Sequence, residues 1–98
     1  MAIIEISVVP IGTATPSVSD HVAAVIHKLD ALGVEYELNA MGTVIEGDLG
    51  PLLDVVRQLH EIPFLHGVSR VYTTIKIDDR RDKKMSGRDK ISSVEEKI

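Results

Sequence analysis

A carboxylate in an apolar segment is the strongest hint of chemistry in this sequence. Glu46 closes residues 43–46, which alternate in the manner of a short strand. Strict alternation places Glu46 on the same face as Val44, so a core-facing Val44 would bring the carboxylate toward the core. There it must pair with a cation or bind a ligand, unless the strand frays or bulges first. Thr43 and Asn39 are neutral polar neighbours that could hydrogen-bond a flat ring, or each other across a hairpin.

The other candidate residues form no recognisable catalytic or metal site. The four histidines are His21, His27, His60 and His66. The first two are six residues apart, out of register for shared ligation on a helix, and the last two flank a proline-containing loop, so no metal site is expected. The sequence has no cysteine and no phosphate-loop, nucleophile-elbow or zinc-protease motif. An enzyme would need Glu46 as a general base without a paired acid or nucleophile, so we predict no catalysis and no cofactor.

The composition favours a small acidic domain that binds neither nucleic acid nor membranes. The 98 residues suffice for one core, with 44% hydrophobic and 27% charged residues. A net charge of −4 and only three aromatic residues argue against a nucleic-acid surface. No apolar run approaches the ~18 residues of a membrane span. The N-terminus lacks the features of a signal peptide, so we expect a cytoplasmic protein.

Four strands are predicted from alternating apolar and β-branched residues. They cover residues 2–9, 34–39, 43–46 and 69–77. The second and third are separated by a short glycine-containing turn, which predicts a hairpin. The charge run over residues 78–84 has mixed signs and is expected to be a solvated loop.

Three helices complete the predicted elements. The first is expected to be capped by Ser17 or Ser19 and to end at Gly33. The second is predicted between a cap at Asp48 and a terminating Pro63. Ser86 and Asp89 form a capping-box pattern that predicts a last helix. That helix carries Ile91 and Val94 on one face, which should dock on its own sheet or on a neighbouring subunit.

The element order predicts an α+β fold of the ferredoxin-like type. Two right-handed βαβ units in the order βαββαβ give a split sheet with helices on one face, here followed by a C-terminal helix. The other face is semi-polar and is expected to include Ile3, Val9, Ile45 and Tyr72. These residues would leave a large apolar patch on a monomer, so we expect this face to be buried in a dimer or tetramer.

An ordered series of short segments resembles a known family of small proteins. The segments are Pro10-Ile11-Gly12, Ser17-Val18-Ser19, residues 41–47 (MGTVIEG), residues 67–71 (GVSRV), residues 75–83 (IKIDDRRDK) and residues 90–94 (KISSV). Together they resemble the UPF0045 thiamine-binding proteins, which are related to YkoF-like thiamine and hydroxymethylpyrimidine-binding domains. The resemblance covers nearly the whole chain.

The resemblance implies a ferredoxin-like subunit that assembles through its open sheet face, commonly into a tetramer. It also implies binding of thiamine or its hydroxymethylpyrimidine moiety rather than catalysis. Thr43 and Glu46 are the best ligand candidates on this basis, with Ser7, Asn39 and the loop of residues 10–19 as weaker ones. The chemistry is compatible, because an aminopyrimidine offers a ring nitrogen and an exocyclic amine to a carboxylate and a neutral hydroxyl or amide.

A second class of function stays open at this point. An ACT-like regulatory domain would bind another small effector, such as an amino acid, at a subunit interface. Such an effector needs a carboxylate-binding group, which backbone N–H groups or Arg70 could supply. The charge of the preferred ligand separates the two interpretations.

Overall fold

The chain folds into a four-stranded sheet with three helices, in a computed structural model that describes all 98 residues. The strands are β1 (Ala2–Pro10), β2 (Tyr36–Asn39), β3 (Gly42–Gly47) and β4 (Val71–Asp79), and the helices are α1 (Ser19–Ala31), α2 (Leu49–Leu65) and α3 (Gly87–Glu95). The predicted βαββαβ order with a C-terminal helix is confirmed. The second strand begins two residues later than expected, and the fourth is displaced by two residues toward the C-terminus.

The sheet has the order β2-β3-β1-β4, and every neighbouring pair is antiparallel. The first strand of the chain is therefore central. It pairs with β4 over its full length, from Ala2 opposite Asp79 to Pro10 opposite Val71. Its pairing with β3 stops at Ile6 opposite Thr43, so the second half of β1 extends past the hairpin without a partner on that side. This overhang adjoins the cavity described below.

The core lies between the sheet and the two helices α1 and α2. Alternate residues of β1 point into it, and the buried hydrophobic residues are Ala2, Ile4, Ile6, Val8, Val25, Leu29, Ile45, Leu52, Val55, Val56, Leu59 and Ile62. Ile45 is fully buried opposite Ile4. The expectation that Ile45 belongs to the open face is therefore wrong, because its pairing with Ile4 turns it toward the helices.

Two predicted helix boundaries differ in the structure, and the predicted cap Asp48 is in place without a side-chain hydrogen bond. The N-cap of α1 is Val18, and no side chain caps it, since the hydroxyls of Ser17 and Ser19 face each other at 3.4 Å. Asp48 occupies the N-cap position of α2, also without a side-chain hydrogen bond. Pro63 lies inside the last turn of α2 rather than ending the helix. A proline there removes a single N–H, and its own carbonyl accepts hydrogen bonds from the helix C-terminal turn.

Local signals at the other helix ends hold. Gly33 follows α1 in the left-handed region, with a φ of +69°. Ser86 and Asp89 form both reciprocal hydrogen bonds of the capping box, at 3.1 and 3.0 Å. These hydrogen bonds to Ser86 hold the pKa of the Asp89 carboxyl below its ordinary value. The negative charge also suits the N-terminus of the helix.

Two polar contacts attach helix α3 and its N-terminus to the sheet. The backbone N–H of Gly87 donates to the carboxylate of Glu46 at 2.5 Å, and Lys90 pairs with Asp78. Ile91 and Val94 remain 50% and 60% exposed. The apolar stripe of α3 therefore does not dock on its own sheet, and docking on a second subunit stays a prediction.

Candidate ligand-binding site

A cavity of about 250 Å³ opens between α1, the second half of β1 and the β2–β3 hairpin. Nine of its thirteen lining residues are hydrophobic. They are Ile6, Ser7, Val8, Val9, Val18, Val22, Val25, Leu38, Asn39, Ala40, Met41, Gly42 and Thr43. The polar residues among them are Ser7, Asn39 and Thr43, so the cavity is an apolar pocket with a few polar residues at one side.

The cavity exists because α1 presents short side chains above an incomplete part of the sheet. Val18, Val22 and Val25 face it from the helix, and only Val25 and Leu29 of α1 are buried. Beneath them, β1 runs past the last β3 pair at Ile6 and leaves main-chain groups without a strand partner on that side. Unpaired N–H and C=O groups near an apolar pocket are available hydrogen-bonding sites for a bound molecule.

The structure brings together three of the four predicted ligand residues. Ser7 comes from β1, Asn39 ends β2, and Thr43 follows the turn in β3. Thr43 is the buried polar residue of the protein, at 5% exposure. Its position directly opposite Ile6 puts it on the helix side of the sheet. All three residues border the cavity where the hairpin meets the free end of β1, but the side chain of Ser7, which stands opposite Thr74, is directed to the open face of the sheet.

Glu46 does not join this group. It is exposed, stands opposite Ile3 on the open face, and accepts the hydrogen bond from Gly87. The expectation of a semi-buried Glu46 next to Thr43 is therefore wrong. Both Val44 and Glu46 face away from the helices, because pairing of Ile45 with Ile4 fixes the opposite phase of alternation. The structure instead makes Glu46 an anchor for α3.

Several cavity residues were not singled out from the sequence. Leu38 and Met41 flank the hairpin turn at 56% and 86% exposure. Two large apolar residues beside a turn are an unusual surface feature, and this was the available signal. Of the predicted loop, residues 10–19, Val18 lines the cavity.

An open groove continues from the cavity along the outer side of α1. It is lined by Ser17, Val18, Ser19, Val22, Ala23, Ile26, His27, Leu38 and Asn39. Val18, Val22, Leu38 and Asn39 border both spaces. A ligand in the cavity could therefore extend a second group between α1 and β2.

The cavity is electrically neutral, because no ionisable side chain lines it. The carboxyl group with a large pKa shift lies elsewhere, in the charged segment after β4. There Arg80 hydrogen-bonds Asp82 and lowers the pKa of that carboxyl to about 2. No group of three or more His, Asp or Glu side chains converges as a metal site would require. None of the helices has the length and apolar character needed to cross a bilayer.

These features define a ferredoxin-like α+β domain with one small, uncharged, partly polar cavity. The chain belongs to the thiamine-binding protein family, whose model matches residues 4–95. Two relatives are the UPF0045 protein YqgV of Bacillus subtilis, 49% identical over 96% of this chain and 94% of the relative, and a UPF0045 protein of Methanothermobacter thermautotrophicus, 48% identical over 96% of each chain. The predicted family membership is confirmed.

Solved structures show the same fold. The hypothetical protein MJ1052 of Methanocaldococcus jannaschii superposes with a TM-score of 0.84, at 36% identity, over 97% of this chain and 96% of that chain. A proposed thiamine biosynthesis/salvage protein of Thermotoga maritima, TM0486, superposes with a TM-score of 0.77 over 95% of this chain and 97% of that chain. At 22% identity, the second likeness shows the fold alone.

Proposed function

We propose that this protein binds thiamine through its hydroxymethylpyrimidine moiety, or that pyrimidine itself, in the cavity beside α1, without transforming it. The observation that carries the proposal is a cavity with no charged lining, bordered by the neutral polar residues Asn39 and Thr43, in a member of a thiamine-binding family. The cavity is smaller than the roughly 300–1,000 Å³ of sites for drug-sized ligands. Its size therefore favours a single ring over the whole two-ring vitamin.

The lining offers what a neutral aminopyrimidine needs. The ring nitrogens accept hydrogen bonds and the exocyclic amine donates them, whereas the Asn39 amide and the Thr43 hydroxyl can each do either. The valines of α1 supply apolar contact for the faces of the ring. The thiazolium cation of thiamine would stay outside, along the adjoining groove, since a cation gains no compensating charge inside the cavity.

We further propose a binding role in the cytoplasm, as a homo-oligomer. No acid–base pair or nucleophile stands in the cavity, which supports binding over catalysis. The exposed Ile91 and Val94 of α3 support self-association. The alternative, an ACT-like domain that binds an amino acid, finds little support in an uncharged cavity that Arg70 does not line.

Calorimetric titration with hydroxymethylpyrimidine and with thiamine tests the proposal. Thr43→Val keeps the side-chain shape and removes the hydroxyl, so it should weaken binding by about 0.5–1.5 kcal/mol, or roughly two- to tenfold. Glu46→Gln is the matched control, a charge removal three residues away on the opposite face, and should leave affinity unchanged.

Weaker binding in Glu46→Gln with unchanged binding in Thr43→Val would place the ligand on the open face. The alternative function, an ACT-like domain that binds an amino acid, is tested by measuring the melting temperature with and without amino acids. A specific ligand must raise the melting temperature. An absence of binding of either pyrimidine compound by the parent protein would contradict the proposal.

A further inference from the structure

A surface cleft of about 290 Å³ lies at the end of the sheet where β1 stops, separate from the cavity beside α1. Three segments form it: the loop after β1, the first turn of α1 and the loop between α2 and β4. A backbone hydrogen bond of 2.8 Å, from the N–H of Ile11 to the carbonyl of Arg70, holds the first and third segments together. None of the eight residues that line the cleft also lines the cavity.

Two histidines from different parts of the chain line this cleft. His21 lies in the first turn of α1, and His66 directly follows α2. Neither imidazole hydrogen-bonds another group of the chain, whereas His60 hydrogen-bonds Thr73 at 2.7 Å. Both imidazoles can therefore donate to a bound molecule. We call this space the two-histidine cleft.

The loops of the cleft add further unpaired donors. The N–H groups of Gly12, Thr13 and Ser69 take no part in the backbone hydrogen bonds of the chain, and the Ser69 hydroxyl has no partner either. The Thr13 hydroxyl already donates to the carbonyl of Thr15 at 3.0 Å. Donors without a partner in the chain are left for solvent or for a ligand.

No carboxylate opposes these donors. The chain has 15 acidic residues and a net charge of −4, yet none of the residues that line the cleft is Asp or Glu. Asp20 and Arg70 neighbour His21 and Ser69 in sequence, but neither lines the cleft. The ionisable side chains that line it are His21 from α1 and His66 from the loop after α2. A cleft of this kind in an acidic protein suits an anion.

We propose that the two-histidine cleft binds a phosphate group through the imidazoles of His21 and His66 and through the hydroxyl and N–H of Ser69. A phosphate dianion offers several acceptor oxygens and no donor, which matches a lining rich in donors and free of carboxylates. A transition-metal ion would find imidazole nitrogens but no third ligand, because no three His, Asp or Glu side chains converge. The proposal does not depend on the pyrimidine site, since the two share no residue.

Titration calorimetry of the full chain with inorganic phosphate, in a buffer without other oxyanions, tests the proposal. His21→Ala and His66→Ala each remove one donor and should weaken binding about two- to tenfold. His27→Ala is the matched control, because His27 also lies on α1 but lines the outer groove, and it should leave affinity unchanged. No binding by the parent protein, or equal effects of His21→Ala and His27→Ala, would overturn the proposal.

A carboxylate placed in the cleft should have a larger effect. Ser69→Asp sets a negative charge among the donors and should abolish phosphate binding. Ser69 is exposed and lies outside the helices and strands, so the circular dichroism should stay unchanged. Ser92→Asp makes the same change of net charge on an exposed position of α3 and is the control. Phosphate binding that survives in Ser69→Asp would contradict the proposed site.

The pH dependence of sulfate binding tests the role of the imidazoles. Sulfate keeps its charge between about pH 5.5 and about pH 8, whereas histidine gains a positive charge toward the lower value. Sulfate should therefore bind roughly tenfold more tightly at the lower pH, because charge-assisted hydrogen bonds are stronger. The double variant His21→Ala, His66→Ala should lose this difference. An affinity of the parent protein that does not change with pH would contradict binding through the imidazoles.

Two further comparisons identify the source of the phosphate group and exclude a cation. Tighter binding of glycerol phosphate than of inorganic phosphate would assign the cleft to a phosphorylated molecule, and equal or weaker binding would assign it to the free ion. The melting temperature should rise with phosphate. A rise with zinc ions and none with phosphate, lost in His66→Ala, would overturn the proposal in favour of a metal site.

Discussion

The two helices that cover the sheet differ in how many of their residues they bury against it. Helix α2 buries six residues, including Leu52, Val56 and Leu59, whereas α1 buries only Val25 and Leu29. A side-chain hydrogen bond of 2.7 Å between His60 and Thr73 also ties α2 to β4. The half of the sheet under α2 is filled, and the half under α1 retains the cavity.

The difference shows how a chain of 98 residues can hold a ligand cavity and still fold. The apolar burial that stabilises the fold is concentrated under α2 and along β1. The half under α1 contributes less to stability and offers neutral polar groups around a vacant space. Substitutions in the two halves should therefore separate stability from binding.

The largest expected effect is on the α2 half. Leu59 is fully buried, so Leu59→Ala removes its apolar contacts and leaves a void, which should lower the free energy of unfolding by about 2–5 kcal/mol. Urea denaturation followed by circular dichroism measures the loss. Leu53→Ala on the exposed side of the same helix is the control and should cost much less. Equal losses for the two variants would show that α2 does not anchor the core as described.

An intermediate effect is expected in the half of the domain under α1, where a substitution should change ligand affinity rather than stability. Val22→Phe places a ring in the space that the proposed ligand would occupy. The free energy of unfolding should change by less than about 1.5 kcal/mol, because the void accepts the larger side chain. Affinity for hydroxymethylpyrimidine should fall at least tenfold by titration calorimetry.

The matched control for Val22→Phe is Ala23→Phe, which enlarges the next residue of α1 and should leave pyrimidine binding unchanged. Ala23 lines the open groove but not the cavity. Unimpaired pyrimidine binding in Val22→Phe would show that the ligand lies elsewhere.

The smallest expected effect concerns the polar link between α2 and the sheet. Thr73→Val keeps the side-chain shape but removes the hydroxyl that hydrogen-bonds His60, which should cost about 0.5–1.5 kcal/mol of stability. Thr74→Val, one residue along on the exposed open face, controls for the strand preference of valine. Equal melting temperatures for the two variants would mean that the hydrogen bond between His60 and Thr73 makes no net contribution to stability.

Local sequence signals predicted the helices and strands. Which side chains of the short strand β3 point toward the core depended on the tertiary structure. The capping box of Ser86 and Asp89 and the left-handed Gly33 follow from residues close in the chain, and both were predictable. In β3, Val44 and Ile45 are both apolar, so alternation alone cannot decide which of them is buried. Only pairing with Ile4, distant in sequence, makes that choice, and the placement of Glu46 depends on it.

The candidate site was predictable in its polar residues and not in its shape. Ser7, Asn39 and Thr43 were identified from their chemistry and from the family resemblance. The cavity itself depends on how far α1 stands above the sheet and on where the β3 pairing stops. Those distances are set by packing across the whole domain and leave no local pattern in the sequence.

The central position of β1 has a consequence for synthesis. Strand β1 is synthesised before its partners β3 and β4, and Ala2 cannot pair with Asp79 until that residue has been made. The sheet therefore cannot be completed until β4 has emerged, and its closure carries the entropic cost of joining segments that are distant in sequence. Until then, the apolar strand Ala2–Pro10 is exposed in the nascent chain. We expect this interval, more than the finished fold, to be when the protein is most prone to aggregate.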